Sequence, residues 1–392
     1  MDVIKSVALA RNKWRIFALC SLLLVLTLGL HGPVLTVKGL VVNTGLSVVN
    51  ASVSVDAGRI AFMNSLTTVT VYDVASGSST SFSTPTSASY QPVIFGDKVI
   101  IAGNFTDLLS PSTIYYCILP HATPLQSCGP WEVAAKGWGL SYFAAWGFPL
   151  VRGDLIVWVS SGGFSFWRFS SETTTFVATP TQAVWPSTNG QIIDFLAKPT
   201  ATSPSYTVMY YDTSNPGQGI VNTNLPARSY ADAISQNTIA FNDNSTSPNR
   251  IRYYDILSNT ASTAGAGPLG NLTAYGFSGI WTDRIVFSAS EASLNFDCNG
   301  DSTISSASQC LQYWNIRGPS YVATLLTPSA APPLGGAVAI YDKTLAFQGQ
   351  DGHIQYVTVP MKGDVNLDGK VDSTDKSIVT SCNGQVLKGT IC

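Results

Sequence analysis

Gly58-Arg-Ile-Ala-Phe62 is the first of seven short apolar runs that recur along this chain of 392 residues. The others are Gly96-Asp-Lys-Val-Ile-Ile101, Gly153-Asp-Leu-Ile-Val-Trp158, Gly190-Gln-Ile-Ile-Asp-Phe195, Asn237-Thr-Ile-Ala-Phe241, Asp283-Arg-Ile-Val-Phe287 and Lys343-Thr-Leu-Ala-Phe347. A turn residue opens most of them, and β-branched and aromatic residues fill them, which is the composition of a buried strand. Each is followed by a second run carrying an aromatic pair or Tyr-Asp: Val71-Tyr-Asp73, Ile114-Tyr-Tyr116, Phe166-Trp-Arg168, Met209-Tyr-Tyr-Asp212, Arg252-Tyr-Tyr-Asp255, Gln312-Tyr-Trp314 and Ile354-Gln-Tyr356.

Equivalent positions Ile60, Val99, Ile156, Ile192, Ile239, Ile285 and Leu345 lie on average about 47.5 residues apart, the length of one four-stranded propeller blade. A further strand precedes several pairs, at Tyr90 to Phe95, Tyr142 to Val151, Tyr230 to Ser235 and Tyr275 to Trp281, and these are expected to line the central channel. The expected fold is all-β: a seven-bladed β-propeller over residues 34–360, an N-terminal apolar helix within residues 1–33, and a short calcium loop-helix within residues 361–392. The last pair of strands runs straight into the C-terminal segment, so its outer strand has to come from elsewhere. Leu35 to Val42 is expected to supply it, closing the ring and removing two exposed edges. With its Gly-Asp-x-Ile-x-Phe and Tyr-Asp motifs, the region resembles the TolB-like superfamily of propellers, a resemblance that implies architecture and leaves function to a site.

Asp364-Val-Asn-Leu-Asp-Gly-Lys-Val-Asp-Ser-Thr-Asp375 carries the sharpest chemical signal. Asp364, Asn366, Asp368, Asp372 and Asp375 occupy positions 1, 3, 5, 9 and 12 of a calcium loop, Lys370 supplies the backbone carbonyl at position 7, and Gly369 allows the turn at position 6. Hard oxygen ligands at that spacing point to Ca2+. Asp at position 12, Val371 at position 8 and the following Ser373 to Ser381 resemble the first repeat of a type I dockerin, over roughly the last thirty residues. A dockerin has two such repeats, and its family function is to plug into a cohesin module on another protein. Asp297, Asn299, Asp301 and Ser305 form a weaker echo at positions 1, 3, 5 and 9, with Ser302 in place of glycine, and read either as a second calcium loop or as a polar loop.

Six cysteines fall into close pairs, Cys117 with Cys128, Cys298 with Cys310 and Cys382 with Cys392, while Cys20 stands apart. Local bridges imply an oxidising compartment, although sequence alone does not fix the connectivity. Lys5, Arg11, Lys13 and Arg15 precede the apolar run Ile16 to Leu30, which reads as an export signal or as a membrane anchor. Either reading places the rest of the chain at an extracellular or cell-surface location. Asn-x-Ser/Thr sequons at Asn50, Asn104, Asn244 and Asn271 are compatible with glycosylation there.

Charged residues make up 11% of the chain, against about 25% in an average protein, and the net charge is −2. Without a basic patch, phosphate-backbone binding has no basis, so nucleic acid is not an expected partner. Three dispersed histidines give little ground for a Ser-His-Asp or zinc centre, and no catalytic residue is assigned. Asp154 with Asp194 is the carboxylate pair that glycoside hydrolysis at the channel would need. Asp73, Asp212 and Asp255 read as turn residues. Aromatic residues crowd the second and third repeats, where blade packing is their ordinary role; Trp131 and Trp138, in a Gly-containing loop, are the candidates for a platform that stacks on a glycan or anchors a protein. The expected function is that of an exported binding or assembly protein acting on a protein partner, on a second copy or on glycan, and touching membrane only through the N-terminal segment. The alternatives are an extracellular carbohydrate-active enzyme and a subunit of a filament or surface layer.

Overall fold

The computed structural model describes residues 35–37, 41–49, 53–86, 92–103, 112–120, 125–137, 150–227, 232–243, 250–263, 274–282, 284–294, 297, 302–305, 309–316, 322–325, 338–342, 344–349 and 351–358. Among them the strands form seven sheets, antiparallel except for one parallel pair, arranged as a β-propeller. All seven runs quoted first above become the second strand of a sheet: Arg59–Ser65, Lys98–Gly103, Leu155–Ser160, Ile192–Ala197, Thr238–Asp243, Arg284–Ser290 and Thr344–Gln348, in sheets one to seven. Their inner neighbours are Val53–Asp56, Val93–Phe95, Leu150–Arg152, Val184–Thr188, Asp232–Ser235, Ala274–Trp281 and Val338–Tyr341, and each of these touches the next around a closed cycle.

Alternation along the second strands explains the packing. Phe62, Phe195, Phe241, Phe287 and Phe347, the closing aromatics of their runs, are completely or almost completely buried. Each contributes about 2–3 kcal/mol through the apolar surface it removes from water. The apolar clusters lie between neighbouring sheets: Ala61, Val71 and Phe82 of sheet one meet Val99, Ile101 and Cys117 of sheet two, and Val157 and Phe164 of sheet three meet Ile193 and Phe195 of sheet four. In sheet four the register pairs Thr188 with Ile193, where the other sheets pair the last but one inner residue with the first apolar position, as in Val55 with Ile60. Ile193, and not Ile192, is therefore the equivalent position, with the same four residues between the paired positions as in sheet one.

The ring closes through the N-terminal segment. Val41–Ser47 pairs antiparallel with His353–Thr358, Val41 opposite Val357, and completes sheet seven. Val42 and Leu46 then pack against a core shared by sheets seven and one, with Ile60, Phe62, Ala346 and Ile354. The closing strand begins later than the sequence suggested: Leu35–Val37 instead pairs in parallel with Val322–Leu325, as a fifth strand of sheet six. Leu35–Val37 and Val41–Ser47 thus serve two adjacent sheets, and Lys38-Gly39 interrupts the apolar run between them in sequence.

Candidate functional site

Each inner strand ends in a hairpin, and six of these have a two-residue turn, as in Asp56 opposite Arg59 and Tyr341 opposite Thr344. The first turn residue adopts a left-handed conformation throughout: Ala57, Gly96, Gly153, Gln236, Thr282 and Asp342, with φ between 47° and 59°. Such backbone matches the right-handed twist of the flanking strands, and only two of the six positions carry the glycine that adopts it without steric cost. In the seventh hairpin, Gly190 approaches sheet three so closely that a Cβ there would lie 3.3 Å from the Arg152 carbonyl oxygen.

At this hairpin end the sheets are tied to one another through inner-strand hydroxyls and carboxylates. Ser54 Oγ accepts the Ile94 N–H at 3.1 Å, Ser187 Oγ accepts the Ile234 N–H at 2.9 Å, and Ser235 Oγ accepts the Thr282 N–H at 2.8 Å. In each case a side chain of one sheet satisfies the backbone of the next. Asp56 repeats the pattern, accepting the Gly96 N–H at 2.6 Å.

One group crosses the channel. The Arg152 guanidinium, at the end of the inner strand of sheet three, lies 4.1 Å from the ring centroid of Trp281 in sheet six and 5.3 Å from that of Tyr341 in sheet seven. The two rings are themselves 3.8 Å apart between centroids. The Tyr341 hydroxyl donates to the Asp56 carboxylate, which also lies within electrostatic reach of Arg152. Burial pushes the Asp56 carboxyl above its ordinary value of 3.8, although the Gly96 N–H, Arg152 and Tyr341 all favour the charged form. Burial also lowers the Arg152 pKa, against the pull of Asp56, and raises that of Tyr341. Sheets three, six, seven and one thus meet in a single cation–aromatic–carboxylate cluster at the hairpin end.

The residues singled out in sequence fare differently. Asp73, Asp212 and Asp255 cap turns: their Oδ1 atoms accept the N–H groups of Ser76, Ser214 and Ser258 at 2.8, 2.8 and 2.9 Å. Asp154 does the same for Ser170 at 2.7 Å and sits 3.8 Å from Arg168, whereas Asp194 is fully buried in sheet four and accepts the Ser187 hydroxyl at 2.6 Å. Each carboxylate of that expected pair is engaged by hydroxyls of its own sheet. Trp131 is half-buried, donates its indole N–H to the Ser83 carbonyl at 2.8 Å and packs against Phe82 at 6.0 Å. Trp158, Trp167, Phe164 and Phe166 are buried between sheets. Trp138 lies outside the described residues.

Cys117 and Cys128 form a disulfide, with Cα atoms 5.8 Å apart. Cys310 is disulfide-bonded as well, and Cys298 lies outside the described residues. Within the weaker calcium loop, Ser302 adopts φ 68° and donates its N–H to Asp297 Oδ2 at 2.7 Å. Ser305 donates its N–H to the buried Glu291 at 3.2 Å, while Asn299 and Asp301 lie outside the described residues. So do Asp364, Asn366, Asp368, Lys370, Asp372, Asp375, Cys382, Cys392, the four sequon asparagines and the N-terminal apolar run. Among the described residues no helix is long and apolar enough to cross a membrane.

Solved structures agree with this architecture. The β-propeller domain of the Trilobed protease from Pyrococcus furiosus is similar at a TM-score of 0.52 and 11% identity, over 76% of this chain and 89% of that one. The fold is a β-propeller. A chain of the Mitotic Checkpoint Complex is similar at a TM-score of 0.51 and 13% identity, over 84% of this chain and 95% of that one. TolB from Acinetobacter baumannii aligns at a TM-score of 0.39 and 10% identity over 79% of either chain, too low a likeness to argue from. The Trilobed protease domain is described as having an open velcro topology, whereas here Val41–Ser47 pairs across the closure. No family model matches this sequence, and no curated protein matches it either.

Sequence reasoning missed Asp56, Arg152, Trp281 and Tyr341. Their shared signal is position: each immediately precedes one of the recurrent hairpin turns. Aligning the seven repeats on that turn would have placed all four at one level of one channel.

Proposed function

We propose that this chain is an exported or cell-surface binding and assembly protein. Its seven sheets are the blades of a seven-bladed propeller that serves as an interaction platform, and a C-terminal dockerin-like half-module, ordered by calcium, docks it to a partner or to a second copy. The observation that supports the platform reading is the engagement of Arg152, Trp281, Tyr341 and Asp56 with one another across four sheets, which leaves the loops and the rim to do the binding. The Cys117–Cys128 bridge supports the oxidising compartment that export implies.

In this reading Asp364, Asn366, Asp368, Asp372, Asp375 and the Lys370 carbonyl hold Ca2+, and metal binding supplies the folding free energy of an otherwise polar tail. Asp297, Asn299, Asp301 and Ser305 form a second, weaker loop. Its support is the left-handed backbone of Ser302 and the N–H it directs at Asp297, the conformation for which a calcium loop uses glycine at position 6. Asn50, Asn104, Asn244 and Asn271 are the proposed glycan acceptors.

Sedimentation of the full chain in millimolar calcium and in chelator, beside an Asp364→Ala/Asp368→Ala variant, tests the reading. Calcium-dependent association that the variant loses is the expected result. A monomer in every condition, with no partner retained, would overturn the docking role.

A further inference from the structure

The direction in which the chain enters the ring says how the propeller sits if its N-terminal apolar run is a retained anchor. Leu35 pairs with Ala323, Ala323 with Tyr313, and Tyr313 with Val286, two residues beyond Arg284, which flanks the hairpin turn of sheet six. Because Leu35–Val37 runs parallel to Val322–Leu325, the chain enters its first strand from the hairpin end, on the outer edge of sheet six. Val41–Ser47 continues in the same sense, away from that end. Only His31 to Val34 separates the apolar run from Leu35, and the five Cα–Cα steps from Leu30 to Leu35 span at most about 17 Å.

We infer that the hairpin end of the propeller faces the lipid surface and the opposite end points away from it. This rests on the proposed cell-surface location and on the apolar run being a retained anchor. To place the bilayer at the opposite end, the tether would have to reverse direction before Leu35. A reversal uses about two of these steps, and the remaining three reach about 10 Å. From the level of Val286 to the end of its strand at Ser290 is about 13 Å, so the tether falls short. Among the described cations of this end, Lys98 pairs with Asp97 at 2.7 Å, Arg168 lies 3.8 Å from Asp154 and Arg284 donates to the Asp342 carbonyl at 2.8 Å. The orientation is imposed by the tether, and raising the salt concentration should leave it unchanged.

Two exposed positions of sheet one report on it. Ala75 lies in the turn at the hairpin end, between Thr68–Asp73 and Ser78–Ser83, and Leu66 lies in the turn at the opposite end. The full chain, in a Cys20→Ser background, would carry a fluorophore on Ala75→Cys or on Leu66→Cys. Each would be reconstituted into phosphatidylcholine vesicles containing a lipid with a nitroxide headgroup. Quenching at least twofold stronger at position 75 than at position 66, in low and high salt alike, is the expected result. Equal quenching or the reverse order, in a chain whose intact mass shows the apolar run present, would overturn the orientation. An intact mass lacking that run would instead overturn the anchor reading, and the orientation with it.

Discussion

The two ends of the propeller are held by different means. At the hairpin end the same device recurs: an inner-strand hydroxyl or carboxylate of one sheet accepts a backbone N–H of the next, at Ser54, Asp56, Ser187 and Ser235. At the opposite end the ties among the described residues are individual, and include the Val48 N–H to the Gly352 carbonyl at 3.1 Å. Gln182 accepts the Gly162 N–H at 3.2 Å and donates to the Ser160 carbonyl at 2.9 Å, and Asn43 donates to Asp351 at 2.6 Å across the closure. A repeated backbone contact tolerates little change at its buried acceptor, whereas side-chain ties between loops can be exchanged one at a time. The hairpin end is therefore the fixed end of the ring.

The largest effect should come from the hairpin-end staple. Cys117→Ser with Cys128→Ser frees a loop of 11 residues and should cost about 2–3 kcal/mol in chemical denaturation. Arg152→Ala comes next, at about 2 kcal/mol, because it leaves the Asp56 carboxylate buried beside two rings. Asp56→Asn in that background should recover part of the loss, since an amide oxygen still accepts the Gly96 N–H. The folded Asp56 pKa is raised, so its contribution is fully present below the unfolded value near 3.8 and is lost as pH rises through the folded value. Asp56→Asn should accordingly flatten that part of the stability profile.

Ser235→Ala removes the buried acceptor of the Thr282 N–H and should cost about 1–2 kcal/mol, against less than about 1 kcal/mol for Gln182→Ala at the opposite end. Equal costs would break the comparison. The smallest effect is at the closure, where Asp351 accepts from Asn43, from Gln355 and from the backbone and ring of His353, which holds its carboxyl below the ordinary value. Its contribution is present above pH 3.8 and lost as pH falls through the folded value, the opposite sense to Asp56. Thermal melts of Asp351→Asn across that window should lose this acid-side dependence.

The sheets were legible because their signal is local: a turn residue, a short apolar run that ends in an aromatic in six of the seven repeats, then a second strand. The closure was legible because the last pair of strands lacked an outer neighbour, but its register was not, since Leu35 to Val42 reads as one apolar stretch and only the sheets reveal that it divides. The channel cluster was illegible for a different reason. Asp56, Arg152, Trp281 and Tyr341 come from sheets one, three, six and seven and share no motif, and the topology alone unites them. The aromatic crowding near Trp158 and Trp167 was visible and turned out to be packing, which large rings at alternating strand positions ordinarily provide.

Native-state hydrogen exchange measures the difference between the ends directly. The amides of Ile94, Ile234 and Thr282, bonded to side chains of the preceding sheet, should exchange only through global unfolding, while those of Gly162 and Val48 at the opposite end exchange through local openings of lower free energy. Equal protection at the two ends, or faster exchange at Ile94, Ile234 and Thr282, would contradict a ring whose fixed end is the one that bears the hairpins.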